Sequence, residues 1–473
     1  MIFSSLEFLF LFFPVSIIAY FLVPKKHLKW RNLVLLAVSL VFYGWGEPVY
    51  VFLMIFSIMF DYFYGYGVAH CKLKGNDKAA RRFVAASMIT NICVLGFFKY
   101  ADFFIVNFLP FLEPLNLPLP IGISFYTFQT MSYTIDIYKG DAKLQKNIVS
   151  FGAFVTLFPQ LVAGPIVRYK HIDAFLRERT ENLPLIASGI RTFLAGLGKK
   201  IFLANMAGEL WMTFLAVPAQ QRTVAGAWIG IICYTFQIYF DFSGYSDMAI
   251  GLGKIFGFKF LENFNYPYIS KSITEFWRRW HISLSTWFRD YIYIPLGGSR
   301  CSKLKNYRNI LIVWFITGFW HGASWNFIVW GLYYCALLVI EKAFLLKYLE
   351  KIPAVFQRIY TLFFVVVGWL LFVSESQYLG GLGDGMVYLG NMFGIGTIAG
   401  LSQGNIYDIM RNFIFFVIMA VAATPLPKKL FYKFYEKSTI FKYAAYAGGI
   451  AVLIFGTAYL VDSSFNPFLY LRF

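Results

Sequence analysis

Residues 310–338 read ILIVWFITGFWHGASWNFIVWGLYYCALL, and this stretch decides the fold class of the chain. It contains no Asp, Glu, Lys or Arg, and His321 is its one histidine. A run of this length and apolarity predicts helix buried in a membrane. An imidazole in such a segment is costly unless it is hydrogen-bonded or used in chemistry. We therefore interpret His321 as a candidate functional residue.

The composition of the whole chain also indicates a membrane protein. Of its 473 residues, 59% are hydrophobic and only 14% are charged. A soluble protein carries about 25% charged residues, so this chain has too few to cover a soluble surface of its size. The net charge is +18, but the basic residues lie in short loops between apolar segments. That pattern sets membrane orientation and argues against nucleic-acid binding.

The sequence lacks the spacings that metal and nucleotide sites require. Its five cysteines include no Cys-x-x-Cys pair, and no Walker A, His-Glu-x-x-His or Gly-x-Ser-x-Gly motif occurs. We therefore predict no metal site, no disulfide framework and no bound cofactor.

Eleven apolar segments are predicted to span or enter the membrane, and together they make residues 1–473 one membrane domain. Several are shorter than the ~20 residues that a straight span needs, so tilted, broken or re-entrant helices are expected. The predicted fold class is an all-α, multi-pass membrane protein. The segments lie near 6–23, 31–46, 49–69, 83–98, 148–163, 224–250, 309–325, 326–346, 356–374, 412–425 and 443–461.

The distribution of Lys and Arg predicts which loops face the cytoplasm. Basic loops are retained on the cytoplasmic side of a membrane. The turn at residues 46–48 and the glycine-rich segment 375–410, which has no Lys or Arg, are then external, and both termini are predicted outside. The basic loops lie at residues 25–31, 72–82, 254–308 and 428–442.

Residues 277–291 are predicted to form one amphipathic helix. At about 100° per residue, His281 falls on the same face as Trp277 and other apolar residues, with Arg278 beside that face. The helix either lies at the membrane surface with its arginines on lipid phosphates, or forms a basic entrance for an anionic substrate. Likewise, His281 is either a hydrogen-bonded structural residue or a catalytic one.

The depth of His321 distinguishes it from His281. It lies 13 residues after Arg308, the last base of the cytoplasmic region. At ~1.5 Å per residue it reaches ~20 Å into the membrane. An imidazole that stays neutral in this setting suits a general base, and a hydrogen bond that ties helices together is the alternative.

Three acidic residues also lie in apolar segments. Asp136, Asp241 and Asp247 predict Arg or Lys partners on neighbouring helices, and a proton path is the alternative interpretation. The sequence alone does not choose between the two.

Nine motifs in order along the chain resemble the membrane-bound O-acyltransferase family, and most closely its bacterial alginate O-acetyltransferase branch. They cover essentially the whole sequence. The motifs are MIFSS (1–5), FYGWG (42–46), PIGISFYTFQ (120–129), FPQLVAGPI (158–166), DFSGYSDMAIG (241–251), NFNYPY (263–268), FWRRWHISLSTWFRDY (276–291), PLGG (295–298) and GFWHG (318–322).

The resemblance implies a ring of tilted helices around a thinned centre, where funnels from the two faces meet in a tunnel. It implies that His321 and His281 are the two catalytic histidines of the family. Acetyl-coenzyme A would be a substrate, with its phosphates on Arg278 and Arg279, while Trp280 and Trp320 would shape the tunnel.

The resemblance also implies the partners of the reaction. An extracytoplasmic, esterase-like acetyltransferase would pass the acetyl group to a polysaccharide acceptor, and the protein would reside in the bacterial cytoplasmic membrane. The nearest alternative is D-alanyl transfer to teichoic acid from a carrier-protein thioester. A transporter is less consistent with the sequence, because internal repeats are expected there and none is found.

Overall fold

The computed structural model describes residues 1–162, 164–463 and 465–469, and every regular element among them is helical. The α-helices are α1 Phe13–Leu22, α2 Leu28–Gly46, α3 Tyr50–Leu73, α4 Asp77–Phe108, α5 Ile123–Lys139, α6 Ile148–Thr156, α7 Phe158–Leu161, α8 Tyr169–Arg177, α9 Leu183–Gly198, α10 Met206–Leu215, α11 Val224–Ile255, α12 Ile273–Arg279, α13 Ile282–Phe288, α14 Lys303–His321, α15 Trp325–Ile340, α16 Leu346–Leu349, α17 Ala354–Val373, α18 Ser376–Leu379, α19 Leu382–Met392, α20 Gln403–Ala422, α21 Leu426–Lys437 and α22 Thr439–Asp462.

Shorter segments with other helical hydrogen bonding adjoin these helices. The π-helical segments are Phe8–Phe12, Lys199–Asn205, Arg289–Tyr293 and Glu341–Leu345, and the 3-10 segments are Ala219–Gln221 and Pro267–Ile269. The all-α fold class predicted from the sequence is confirmed.

Seven helices of the described chain are long and apolar enough to cross a membrane: α3, α4, α11, the continuous run from α15 to α16, α17, α20 and α22. In α11, 67% of the most apolar window is buried inside the protein, whereas in α22 only 6% is. The first therefore lies at the centre of the fold, and the second lies at its periphery with its apolar side chains exposed.

Two of the remaining predicted segments are broken helices, as their length led us to expect. Segment 148–163 divides into α6 and α7 at Leu157, where ψ is 105°. Segment 309–325 ends its helix at His321, and the chain is extended at Gly322 before α15 begins. A break inside an apolar region is tolerated only where protein buries the freed backbone groups.

The buried carboxylates mostly have the cationic partners predicted for them. The Asp241 carboxylate lies 2.8 Å from the Lys200 ammonium, and Asp247 lies 2.7 Å from Lys199. For Asp136 the prediction is wrong in detail. Its carboxylate accepts hydrogen bonds from the Tyr291 hydroxyl at 2.6 Å and from the backbone N–H of Lys170 at 3.2 Å, because the Lys170 ammonium pairs with Asp141 instead.

Helices α9 and α11 pack backbone to backbone through glycines. A Cβ atom at Gly196 would lie 2.4 Å from the carbonyl oxygen of Gly244, and one at Gly251 would lie 2.6 Å from that of Gly189. Small residues permit this close approach in membrane helices. The contact fixes the central helix against its neighbour.

Residues near both ends of the chain also pack on α11. The Tyr245 ring stacks on Phe3, with centroids 4.4 Å apart, and on Phe468, with centroids 4.3 Å apart. The backbone N–H of Leu469 donates to the Asp241 carboxylate at 2.9 Å. The central helix therefore organises the start, the middle and the described end of the chain.

Candidate active site

The predicted single helix over residues 277–291 is not present, because the chain breaks where His281 lies. Helix α12 ends at Arg279 and α13 begins at Ile282, with Trp280 extended between them. His281 has φ +44° and ψ 54°, in the left-handed region that non-glycine residues seldom adopt. Backbone strain of this kind persists only where the surroundings impose it.

A short segment around Asn263 imposes the break. The N–H of Ile282 donates to the Asn263 carbonyl and the N–H of Asn265 donates to the Arg279 carbonyl, both at 2.9 Å. These bonds replace the helical ones that a continuous helix would make here. Periodicity within residues 277–291 carries no trace of this partner, so the sequence pattern predicted an unbroken helix.

The Asn263 side chain also fixes the tautomer of His281. Its Oδ1 atom accepts a hydrogen bond from the backbone N–H of Ser283 at 3.2 Å, which identifies that atom as oxygen. The His281 Nδ1 atom lies 3.1 Å from the same oxygen, so Nδ1 must carry the proton. In the neutral ring, Nε2 then holds the lone pair.

His321 is the last residue of α14 and is only 3% exposed. Its ring lies edge-on to the Trp320, Trp330 and Phe372 rings, with centroids 5.1, 5.1 and 5.2 Å away. Aromatic walls on three sides exclude bulk water and fix the ring plane. His321 is therefore buried inside the protein, and its depth in the membrane stays a prediction.

The two histidines meet at one tryptophan, as the tunnel prediction requires of Trp320. The Trp320 ring centroid is 6.4 Å from that of His281 and 5.1 Å from that of His321. Trp280 lies elsewhere, packed on Trp369 with centroids 4.6 Å apart. No ring contact joins Trp280 to either imidazole among the described residues.

The structure separates the two arginines that were predicted to bind phosphates. Arg279 is committed within the protein, because its guanidinium pairs with Glu275 at 2.8 Å and donates to the Asn265 carbonyl at 3.0 Å. Arg278 instead lines a cavity of about 360 Å³, together with Lys342 and Trp314. Arg278 and Lys342 therefore lie at the same cavity, whereas phosphate binding by Arg278 and Arg279 stays a prediction.

A continuous row of aromatic rings leads from this cavity to His321. Trp277 lies beside Trp314, with centroids 4.8 Å apart, and beside Trp330, with centroids 5.5 Å apart. Trp330 in turn contacts His321. The indole N–H groups of Trp277 and Trp330 are buried and donate to no acceptor among the residues that the structure describes, which leaves them available to a polar ligand.

Sequence reasoning missed Lys99, whose ammonium is buried beside the site. It donates to the Trp320 carbonyl at 2.5 Å and to the Ser124 hydroxyl at 3.1 Å. The signal was the one used for His321, a charged group in an apolar helix. The predicted segment 83–98 ended one residue too early to include it.

No group of His, Cys, Asp and Glu side chains that could hold a metal ion occurs in the part of the chain that the structure describes. The groups at the site include two imidazoles, the buried Lys99 ammonium with the Glu375 carboxylate near it, and several indoles. Such a set can move a proton and hold a developing negative charge.

Comparison with known proteins gives both a family and relatives. Residues 144–382 match the model of the membrane-bound O-acyltransferase family. A probable alginate O-acetylase of Azotobacter vinelandii is 42% identical over 80% of this chain and 76% of its own length. A peptidoglycan O-acetyltransferase of Helicobacter pylori is 35% identical over 80% of the chain and 77% of its length. A teichoic acid D-alanyltransferase of Streptococcus thermophilus is 32% identical over 48% of the chain and 58% of its length.

Proposed function

Because this chain belongs to the membrane-bound O-acyltransferase family and is an O-acyltransferase, we propose that it acetylates the hydroxyl groups of an exopolysaccharide such as alginate. The name of the Azotobacter relative supports the acetyl group and the alginate acceptor. The D-alanyl alternative has less support, because the relative with that name matches only 48% of the chain.

The observation that carries this proposal is the cavity joined to His321 by aromatic rings. Arg278 and Lys342 present two cations at its wall, and the basic loop 254–308 predicts a cytoplasmic location for this end of the fold. Cations that flank an aromatic surface suit the phosphates and adenine of a coenzyme A thioester. We therefore assign acetyl-coenzyme A as the donor, with its acyl arm along Trp277 and Trp330.

In the proposed reaction His321 takes the proton of the acceptor hydroxyl as its oxygen attacks the thioester carbonyl. A C–O bond forms and the C–S bond breaks, and the proton passes from the imidazole to the departing thiolate. General-base catalysis of this kind contributes about 10²–10⁴-fold to a rate. His281, whose ring is held by the Asn263 side chain, orients the reacting groups on the other side of Trp320.

The acceptor hydroxyl is proposed to enter from the external face, opposite the donor. An extracytoplasmic, esterase-like partner then carries out the second transfer, in which a polymer hydroxyl attacks the acetyl ester and the first acceptor leaves as a free hydroxyl that takes up the proton. This division fits the predicted orientation, in which the basic cavity faces the cytoplasm and the glycine-rich segment 375–410 faces outward.

The test uses purified full-length protein in lipid, radiolabelled acetyl-coenzyme A and the polysaccharide with its external partner. His321→Ala should lower acetyl transfer by at least 10²-fold, because the base is lost. His70→Ala is the matched control, since His70 lies exposed near the cytoplasmic end of α3. Transfer by His321→Ala close to that of the unmodified protein would contradict the base assignment.

The same assay tests the donor. Arg278→Gln and Lys342→Gln should each raise the donor KM about 5- to 10-fold, because each removes a charge from the phosphate-binding wall. Arg279→Gln, whose side chain is committed to Glu275, should leave KM unchanged. Transfer from a D-alanyl carrier-protein thioester in place of acetyl-coenzyme A would favour the alternative function.

A further inference from the structure

We propose that Lys99 is a positioning residue that acts with Tyr100 to clamp the end of α14 and so hold His321 in its reactive orientation. This inference rests on the proposed role of His321. It gives a role to the buried Lys99 ammonium, which the acyl-transfer mechanism does not otherwise use.

Two consecutive residues of α4 bind two consecutive carbonyls of α14. The Lys99 ammonium donates to the Trp320 carbonyl at 2.5 Å, and the Tyr100 hydroxyl donates to the Phe319 carbonyl at 2.8 Å. The Tyr100 ring also stacks on Phe319, with centroids 4.0 Å apart. These contacts cover the backbone immediately before His321.

Helix α14 needs partners at this end. The last four carbonyls of a helix have no N–H donor within that helix. In an apolar interior, each carbonyl that is left unpaired is costly. Gly322, the next residue, is extended with φ −174°, and its backbone N–H makes no capping hydrogen bond within the described part of the chain. The clamp from α4 therefore supplies what the chain does not provide locally.

A positive charge is favourable at this position for a second reason. The C-terminal end of a helix carries a partial negative charge, so an ammonium group there is stabilised. Hydrogen bonds from a charged donor are also about twice as strong as neutral ones. The Lys99 ammonium is fixed in turn by Ser124, which belongs to the motif at 120–129.

The backbone on both sides of His321 packs closely against Phe327 of α15. A Cβ atom at Gly322 would lie 2.2 Å from the Phe327 ring, and one at Gly318 would lie 2.4 Å from the Phe327 carbonyl. Close packing on α15 therefore adds to the hydrogen bonds from Lys99 and Tyr100. The His321 backbone has little freedom between them.

Kinetics of three variants test the clamp. Lys99→Met should lower kcat about 10²-fold with donor KM unchanged, because a misplacement near 1 Å has an effect of that size on a rate and the donor cavity is not touched. Tyr100→Phe, which keeps the ring stacking, should lower kcat only a few-fold, since it loses one neutral bond. Lys99→Arg should recover part of the loss, because it keeps a charged donor.

Thr317→Val is the matched control. The Thr317 hydroxyl donates to the Val313 carbonyl of its own helix at 2.7 Å, one turn before His321, and does not reach α4. This variant should keep the kcat of the unmodified protein. Each kcat is expressed per folded molecule. The folded fraction is measured from donor binding and from the thermal unfolding transition.

The outcomes separate this inference from the proposed function. A lack of acetyl transfer by the unmodified protein would overturn the proposed function, and an active His321→Ala protein would overturn the base assignment on which the clamp rests. An inactive His321→Ala protein beside a Lys99→Met protein of normal kcat would overturn only the clamp. If Lys99→Met does not fold, Tyr100→Phe decides, and an unchanged kcat per folded molecule in that variant overturns the clamp as well.

Discussion

His281 is held by its backbone and by one amide. Its left-handed conformation is unfavourable for a residue with a Cβ atom, by roughly 1–2 kcal/mol. The Asn263 oxygen offsets this by accepting from three donors, which are the Ser283 N–H, the Ser283 hydroxyl at 2.9 Å and the His281 ring. The Asn263 side chain therefore sets the protonated nitrogen of His281 and adds to the backbone bonds that form the turn.

Asn263→Ala should test that role. It removes the shared acceptor and leaves buried donors unpaired, so the unfolding free energy should fall by about 1–3 kcal/mol. The kcat should fall more steeply than the stability implies, because the imidazole loses its fixed tautomer. Thermal unfolding and initial acetyl-transfer rates on the same preparation measure the two effects.

Asn265→Ala is the control for that experiment, because Asn265 is exposed and contributes its backbone to the turn. Asn263→Asp keeps an oxygen at the position and should recover much of the rate. Equal rates for Asn263→Ala and the unmodified protein would show that His281 needs no orientation from this amide.

A residue of the candidate site could be predicted from the sequence where a polar side chain stood out within a single apolar segment. His321 was found because it is the one histidine in residues 310–338. The sequence did not predict which of Arg278 and Arg279 would pair with Glu275, because either arginine lies within one helical turn of that carboxylate. In the structure Arg279 makes the pair. The sequence did not predict that Lys342 lies at the same cavity as Arg278, because the two residues are distant in sequence.

At the scale of elements, regular apolar helices were predicted well and their breaks were not. The segment predicted at 224–250 is helix α11, and that at 356–374 is helix α17. The break between α12 and α13 depends on backbone bonds to Asn263 and Asn265. Hydrophobic periodicity reports a helix face and carries no information about such a remote backbone partner.

Helix α8 provides a pH-dependent contact outside the spans. Burial, and then the neighbouring Arg168 and Lys170, lower the pKa of His171 to about 4. The His171 ring accepts from the Arg168 guanidinium at 3.0 Å, which requires the neutral form. Arg168 in turn pairs with Asp290 of the Arg289–Tyr293 segment, so this contact joins α8 to the region that follows His281.

We expect this contact to weaken in acid. Between about pH 6.5 and 4 the unfolded chain binds a proton at His171 that the folded protein does not, so stability falls as pH falls through that window. His171→Gln keeps an acceptor that does not titrate and should flatten the pH dependence there. Unfolding temperatures in detergent across the window, for both proteins, measure the difference, and parallel curves would contradict it.

At the scale of the whole molecule, α11 joins parts of the chain that are far apart in sequence. The Lys200 ammonium, in the π-helical segment Lys199–Asn205, binds the Asp241 carboxylate, the Asn205 side chain and the Pro467 carbonyl. Asp241 also accepts from the Leu469 N–H. This buried pair therefore connects a neighbouring helix, the central helix and the residues near 467.

The energetics of that pair give a prediction for the whole fold. Removing one member leaves the other buried and unpaired, which costs about 3–5 kcal/mol, whereas removing both leaves no charge to desolvate. Lys200→Met or Asp241→Asn alone should therefore lower the unfolding temperature strongly, and the double variant should recover part of the loss. Lys199→Met is the control, because it removes only the partly exposed pair with Asp247 and should change the unfolding temperature little. Additive losses in the double variant would show that the two charges act independently.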